Sequence, residues 1–278
     1  MTATATRSAV RATEIPPLTR AQAANIARDE LAAFVSLLEE LDEPDWRQPT
    51  HCDLWDVHDV VAHQGGHVAA GHGLLGMLGQ GKPWQLRPYK KRGMNDLDAI
   101  NQRQVDLRHE MGPAELITEV RDGTERAITA RQRMKWPSRI VRLPAPDYGL
   151  IPMDYLLHVI FPRDMWIHRL DIADATDRPF TVTPDHDGAM LPPAIRDMDR
   201  NVRKHLPGHS VRLTIDGPAG GTWLLGEGDE FQVTMDLPAF LRASSGRIGI
   251  PDRVAAADFS TPDQDLRERI AAALVAVY

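Results

Sequence analysis

Two groups of histidine and acidic side chains have the residue types and the spacing that metal binding requires. His63 and His67 form one pair, and Asp164 and His168 form the other. The members of each pair are four residues apart, so on a helix their side chains lie on one face and can meet. A histidine and a carboxylate from one helix, joined by a histidine from another, make a three-ligand site with open positions. That arrangement is typical of a catalytic metal.

The ligand types indicate the chemistry of such a site. Neutral imidazole suits zinc, nickel or iron, and one carboxylate adds charge neutralisation. Water or a thiol can occupy the open positions, and a metal-bound thiol is deprotonated at neutral pH. The spacing alone is a weak signal, because a chain with 11 histidines contains some four-residue pairs by chance. A single histidine is more often a surface or core residue than a ligand.

Helical periodicity predicts the elements that position both groups. Apolar residues recur at helical spacing over Thr19–Leu41, with Thr19 as the N-cap. A second helix, from Val57 to about Leu78, is rich in glycine, and each glycine costs about 0.5–1 kcal/mol relative to alanine. Packing must therefore hold this helix together. The other helices predicted before residue 176 are Asp96–Glu110, Pro113–Arg133 and Met153–Ala175, the last of them interrupted at Pro162.

The sequence pattern changes after Thr176. Prolines become frequent, and Val211–Ile215 alternates between apolar and polar residues with period two, as a β-strand does. The predicted strands are Val211–Ile215, Trp223–Leu225 and Phe231–Met235, the predicted helices are Leu237–Ser244 and Asp263–Val275, and two earlier connections are expected over Gly79–Asn95 and Trp136–Pro152. We therefore predict a disordered leader over 1–17, a helical metal-binding domain over 18–178 and a smaller α+β domain over 179–278.

Composition excludes several classes of protein. The chain has 278 residues, 42% of them hydrophobic and 26% charged, which is ordinary for a globular protein. Its net charge of −7 argues against a general nucleic-acid binder, which needs a basic surface. A single cysteine excludes an internal disulfide, and no apolar run is long enough to span a membrane. We expect a cytoplasmic protein, and the composition leaves its oligomeric state open.

Two segments carry a resemblance to a known family. Pro49–His63 resembles the signature PT-x-C-x-x-W-x-V-x-D-x-V-A-H of the mycothiol-dependent maleylpyruvate isomerase family, within the DinB-like superfamily. Arg163–Ile172 resembles the family's second segment, in which an acidic residue precedes a histidine by four. The resemblance implies an α+β protein, with an N-terminal DinB-like four-helix bundle followed by a smaller α/β sterol-carrier-like domain.

The resemblance also implies which residues act. The metal, zinc in this family, would be held by His63, Asp164 and His168, with Asp164 standing where the family usually has glutamate. The shorter aspartate reaches less far, which can change the metal or its geometry. The family uses an arginine from its C-terminal domain near the site, and Arg247 is the candidate here. A surface arginine is the alternative interpretation of Arg247.

Five further residues keep two interpretations each. His67 is either a fourth ligand or a polar residue that lines the cleft, and Asp59 either orients His63 or caps its helix. Cys52 is a reactive thiol or a small buried residue. Arg87 and Lys91 either bind carboxylates of a thiol cofactor or of an acidic substrate, or belong to a solvated loop.

Residues beside the two motifs are expected to be structural. Trp55 and Trp166 are predicted to pack in the core rather than to form a platform for the substrate. Asp171 continues the face of the helix that carries His168 and is also expected to be structural.

These observations support three hypotheses about function. The first is an enzyme that uses a divalent metal and mycothiol or a similar thiol to act on a small electrophile, as an isomerase or an S-transferase. The second keeps the metal but activates water, which makes the protein a hydrolase. The third is a non-enzymatic ligand-binding or sensor protein.

Overall fold

The computed structural model describes residues 8–71, 76, 79–134, 140–145 and 149–276. The chain divides into two compact units, one over Thr19–Pro179 and another that joins the described residues before Thr19 to the chain from Phe180 onward. The first unit is largely helical and the second contains the main sheet, so the predicted α+β class is confirmed. Across the described parts of the chain, no helix is both long enough and apolar enough to cross a bilayer.

The first unit is built from helices that pack on their apolar faces. Helix α1 begins after a capping box, in which Thr19 accepts a hydrogen bond from the backbone of Gln22 and the Gln22 side chain accepts one in return. The apolar face of α1 includes Phe34 and Leu38, both buried. The helices of this unit are α1 (Arg20–Glu39), α2 (Val57–Gly71), α3 (Pro83–Lys90), α4 (Asp96–Asp106), α5 (Pro113–Gln132) and α6 (Phe161–Ala175).

Close packing holds the glycine-rich helix α2 against α4 and α5. A Cβ atom at Gly66 would overlap the side chain of Gln104 on α4, and a Cβ at Gly71 would overlap the guanidinium of Arg131 on α5. The two glycines therefore let neighbouring side chains approach the α2 backbone. Residues 72–75 and 77–78, where the prediction continued this helix, lie outside the described residues.

The helix predicted over Met153–Ala175 is continuous, and its hydrogen bonding changes from π-helical to α-helical just before Pro162. A single turn, Met153–Tyr155, leads into a π-helix over Leu156–Ile160, and α6 begins at Phe161 with Pro162 in its first turn. Proline lacks a backbone N–H, so it is tolerated best in the first turn of a helix, where that group has no partner within the helix. This change in the helical hydrogen-bonding pattern occurs just before Asp164 and His168.

Two segments predicted as connections contain regular structure. Gly79–Asn95 was expected to be a loop, but Pro83 starts α3, and Leu86 is buried on its inner side. Trp136–Pro152 contains an antiparallel hairpin, β2 (Arg142–Ala145) with β3 (Gly149–Pro152), and the residues between these strands lie outside the description. Proline at the first turn is compatible with a short helix, which is why the proline content of Gly79–Asn95 misled the prediction.

The second unit contains a five-stranded mixed sheet in the order β1-β5-β4-β6-β7. The central strand β4 pairs antiparallel with β5 and parallel with β6. The strands predicted over Val211–Ile215, Trp223–Leu225 and Phe231–Met235 are all confirmed. The elements are β1 (Val10–Arg11), α7 (Pro184–His205), β4 (His209–Asp216), β5 (Gly221–Gly226), β6 (Asp229–Asp236), α8 (Leu237–Ser244), α9 (Ile250–Ala255), β7 (Asp258–Phe259) and α10 (Gln264–Ala273).

The N-terminal residues correct the predicted disordered leader. Residues 1–7 lie outside the description, but Val10–Arg11 form β1 and pair in parallel with Trp223 and Leu224 of β5. Ala12 and Ile15 are buried in the same unit. Burial of these small apolar residues and the backbone bonds of β1 compensate for the entropy lost on ordering the segment.

Candidate metal centre

Asp164 lies at the point where three histidines converge. Its Oδ2 atom is 3.4 Å from Nε2 of His63 and 3.4 Å from Nδ1 of His67. Its Oδ1 atom is 3.6 Å from Nε2 of His168. Helix α2 supplies His63 and His67, whereas α6 supplies Asp164 and His168, so both sequence pairs meet as their spacing predicts.

Two of the imidazoles are held in a defined orientation. Nδ1 of His63 is 3.0 Å from Oε1 of Gln104, and Nδ1 of His168 is 2.8 Å from a carboxylate oxygen of Asp171. An amide or carboxylate oxygen only accepts, so Nδ1 donates in both cases. In the neutral imidazole this leaves a lone pair on Nε2, the atom that faces Asp164. Ligating histidines in metal sites are oriented in this way.

The separations and the bonding of these atoms fit a metal ion. Two ligands at about 2.0–2.1 Å from a tetrahedral zinc are about 3.4 Å apart, close to the distances around Asp164. The Nδ1 atom of His67 is buried and has no hydrogen-bond partner, as expected of a ligand atom. Stacking on Phe161, with ring centroids 4.3 Å apart, holds the His67 ring in place. The residues present therefore fit a divalent metal.

Burial and mutual charge determine the protonation of the cluster. Burial lowers the pKa of His67 to about 3, and the neighbouring His63 reinforces the effect, so His67 is neutral at pH 7. Burial opposes ionisation of Asp164, but the surrounding histidines, His168 first, outweigh it and hold its pKa well below the usual range. Burial also favours neutral His168, but Asp164 and Asp171 outweigh it and raise its pKa to about 10. A metal at this site must displace that proton.

Other polar residues complete the surroundings of Asp164. Gln64 is buried and donates a hydrogen bond of 2.6 Å from Nε2 to Oδ2 of Asp164. Cys52 is half-buried, and its thiol lies 3.8 Å from the carboxylate of Asp171. The same carboxylate accepts the hydrogen bond from Nδ1 of His168. Asp59 does not orient His63, because its carboxylate instead lies 3.7 Å from Nδ1 of His58.

Sequence reasoning missed three of these contacts. Asp171, expected to be structural, stands three residues after His168 on the same helix, a spacing that could have identified it. Gln104 comes from α4 and Gln64 follows His63 directly, and neither position carries a recognisable spacing signal. Tertiary packing alone brings them to the site.

The remaining predicted site residues lie on other elements. Arg87 is on α3, and Lys91 follows at its C-cap, both exposed and four residues apart. Arg247 belongs to the second unit, where it follows α8 and its backbone N–H donates to the carbonyl of Arg242. Their proposed contacts with cofactor or substrate remain predictions.

The two tryptophans beside the motifs have different environments. Trp166 is fully buried, as expected of a core residue. Trp55 is half-buried instead, and its ring centroid lies 4.9 Å from that of His63 and 6.3 Å from that of His168. Its indole N–H donates to Gln102. The Trp55 ring therefore packs against one side of the histidine cluster.

A family model described as the mycothiol maleylpyruvate isomerase N-terminal domain matches residues 27–173. The chain belongs to this family. The match runs from α1 to α6, so it includes every predicted ligand of this isomerase-family protein. The resemblance seen in the sequence motifs is thereby confirmed.

Two solved structures are similar to this family member. Both are of the mycothiol-dependent maleylpyruvate isomerase, one of them a mutant in which a histidine is replaced by alanine. Each is 16% identical, covers 88% of this chain and 95% of its own, and has a TM-score of 0.55. At this identity the likeness shows a shared fold. A comparison with curated proteins finds no match.

A first prediction concerns the packing that orients His63. Gly66→Ala is expected to displace Gln104, because the added Cβ would overlap that side chain. Loss of an outer partner of a metal-ligating histidine typically lowers metal affinity about 10- to 100-fold. Competition with a chromophoric chelator measures the affinity. Gly79→Ala is the control, since a Cβ there meets no atom within 4 Å. Equal affinity in both variants would contradict the role given to Gln104.

Proposed function

We propose that this chain is an enzyme that depends on a divalent metal and a low-molecular-weight thiol, mycothiol or a close analogue. It acts on a small electrophilic substrate as an isomerase or an S-transferase. The observation that carries the proposal is the convergence of three imidazoles on the Asp164 carboxylate, with outer partners that turn two of them toward it. Membership of the isomerase family and the names of the two similar structures support the thiol.

We propose His63, Asp164 and His168 as the metal ligands, a set that leaves one position of a tetrahedral site open for the thiol, and His67 as a polar group beside that site. Zinc is the metal we favour, since imidazole and carboxylate ligands suit it and the atoms have tetrahedral separations. A bound divalent metal lowers the pKa of a coordinated thiol, so that the thiolate is present at neutral pH.

The residues around the proposed metal ligands have distinct roles in this proposal. Asp171 holds His168 in one orientation, and Gln104 does the same for His63. Trp55 covers the side of the histidines and limits access of water. Arg87 and Lys91 remain candidates for binding carboxylates of the thiol cofactor or of an acidic substrate, and Arg247 remains the candidate catalytic arginine.

Addition of the thiolate to an electrophilic carbon accounts for both reaction types. In an isomerase, the sulfur–carbon bond converts a carbon–carbon double bond into a single bond about which the substrate rotates. Expulsion of the thiolate then restores the double bond, and no net oxidation occurs. In an S-transferase, a proton is added instead and the thioether is the product.

A thiol titration tests the proposal and separates it from the alternatives. With cobalt in place of the native metal, mycothiol or cysteine is expected to produce a sulfur-to-cobalt absorption band at one equivalent. The band should be missing in His168→Ala, which lacks one ligand. A thiol that never enters the coordination sphere would favour the hydrolase. Protein purified without chelators and free of metal would favour the non-enzymatic role.

A further inference from the structure

Gln64 is a buried amide that makes one side-chain hydrogen bond, and that bond goes to the carboxylate of Asp164. Gln64 follows the proposed ligand His63 on α2 and is 1% exposed. Its Nε2 donates to Oδ2 of Asp164 at 2.6 Å. A carboxylate only accepts hydrogen bonds, so the amide must turn its N–H toward Asp164. Its Oε1 atom is buried and has no hydrogen-bond partner among the described residues.

Packing alone does not favour an amide at this position. Gln64 lines a cavity of about 20 Å³ in which most of the other side chains are apolar, namely Ala27, Val68, Phe161, Pro162 and Met165. A buried amide oxygen without a partner costs free energy, whereas a methionine of the same length has no such oxygen. The contact with Asp164 is therefore the feature that distinguishes glutamine from an apolar residue here.

The lengths of the two side chains are matched. The 2.6 Å between Nε2 of Gln64 and Oδ2 of Asp164 is at the short end of hydrogen-bond distances, so a further methylene does not fit between them. Each carboxylate oxygen has two lone pairs, and Oδ2 can therefore accept from Gln64 while it faces His63 at 3.4 Å. Carboxylates that bind metals are commonly held by such outer hydrogen bonds.

We propose that Gln64 is a positioning residue that holds the Asp164 carboxylate in the orientation of a metal ligand and makes aspartate, rather than glutamate, the carboxylate that this site accepts. The assignment of Asp164 as a ligand rests on the proposed function. The match in length stands on the geometry of the pair. Each of the three proposed ligands then has one buried outer partner, which for the two histidines is Gln104 or Asp171.

Gln64→Met keeps the length of the side chain and removes its N–H. We expect it to lower the affinity for zinc about 10- to 100-fold, measured by competition with a chromophoric chelator. Gln85→Met is the matched control, because Oε1 of Gln85 is also buried without a described partner but lies on α3. Its zinc affinity should equal that of the wild type.

The stability of the metal-free protein separates positioning from a structural role. In Gln64→Met, loss of the hydrogen bond to Asp164 is offset by removal of a buried, unpaired oxygen. The midpoint of denaturant unfolding in the presence of a chelator should therefore stay close to the wild-type value. A lowered midpoint together with wild-type zinc affinity would assign Gln64 a structural role and overturn the proposal.

A double-mutant cycle tests the match in length and does not depend on Gln64→Met. Asp164→Glu is expected to weaken zinc binding in the wild-type background. In the Gln64→Ala background the loss should be smaller by about fivefold or more, because removal of the amide leaves space for the added methylene. Equal losses in the two backgrounds would overturn the proposal.

Wild-type zinc binding distinguishes failure of this inference from failure of the proposed function. A wild-type protein that binds no divalent metal would overturn both. A wild-type protein that binds zinc, and whose affinity is retained in full by Gln64→Met, would overturn the role of Gln64 alone. The thiol titration with cobalt would then still test the proposed function.

Discussion

Replacing Asp164 by asparagine is expected to lower the metal affinity of the protein by more than about 100-fold. Loss of an outer partner typically costs 10- to 100-fold, and Asp164 is a proposed ligand that faces all three histidines. Asparagine keeps the shape of the side chain but not its charge. It therefore also removes the carboxylate that raises the pKa of His168. Elemental analysis and chelator competition measure the effect.

A matched variant and a longer carboxylate sharpen this test. Asp122→Asn changes the same residue type on the exposed face of α5 and should leave the metal content unchanged. Asp164→Glu restores the residue usual in the family, but its extra methylene must fit beside Gln64, which already lies 2.6 Å from the carboxylate. We expect it to bind metal more weakly than wild type and more tightly than Asp164→Asn. Full metal content in Asp164→Asn would remove Asp164 from the ligand set.

Arg169→Met is expected to destabilise the metal-free protein by about 3–5 kcal/mol, because it removes the guanidinium that pairs with a buried carboxylate. Arg169 on α6 is 4% exposed, and its Nε donates at 2.9 Å to Glu30 of α1, which is fully buried. The pair joins α1 to the helix that carries Asp164. Denaturant unfolding in the presence of a chelator measures the free energy of unfolding without a contribution from bound metal.

The same helix α1 offers a control for this prediction. Arg28 forms an ion pair with Glu125 at 3.0 Å, but both side chains are exposed. Arg28→Met should therefore cost less than about 1 kcal/mol. The double variant Glu30→Leu with Arg169→Met removes both buried charges and should recover much of the lost stability. Equal effects of Arg28→Met and Arg169→Met would show that burial of the second pair is energetically unimportant.

Helix α7 shows where local pattern and tertiary packing disagree. Pro192 and Pro193 lie inside this helix, although an interior proline costs about 3 kcal/mol, and no element was predicted over this proline-containing segment. Met190, Leu191 and Met198 are buried on one face of α7. Their burial stabilises the helix in spite of the prolines. The helical spacing of these apolar residues was visible in the sequence.

The two ligand pairs were predictable because four-residue spacing on a helix is a local property. Once α2 and α6 form, His63 and His67 share one face, as do Asp164 and His168, and the surrounding motifs identify the family. The strand over Val211–Ile215 was predictable for the same reason, because its apolar and polar residues alternate. Each depends on neighbours along the chain rather than on contacts between distant segments.

Tertiary structure decided what surrounds those ligands. The contact of Gln104 with His63 exists only because Gly66 lets α4 approach the backbone of α2. Arg131 lies near His67 of the candidate metal centre in the same way, since Gly71 leaves room for its guanidinium. These contacts join residues on different helices, and the packing of helices against one another depends on side-chain shape rather than on spacing in the sequence. The sequence alone therefore determined the candidate ligands, whereas packing determined their orientation and the charged cavity beside them.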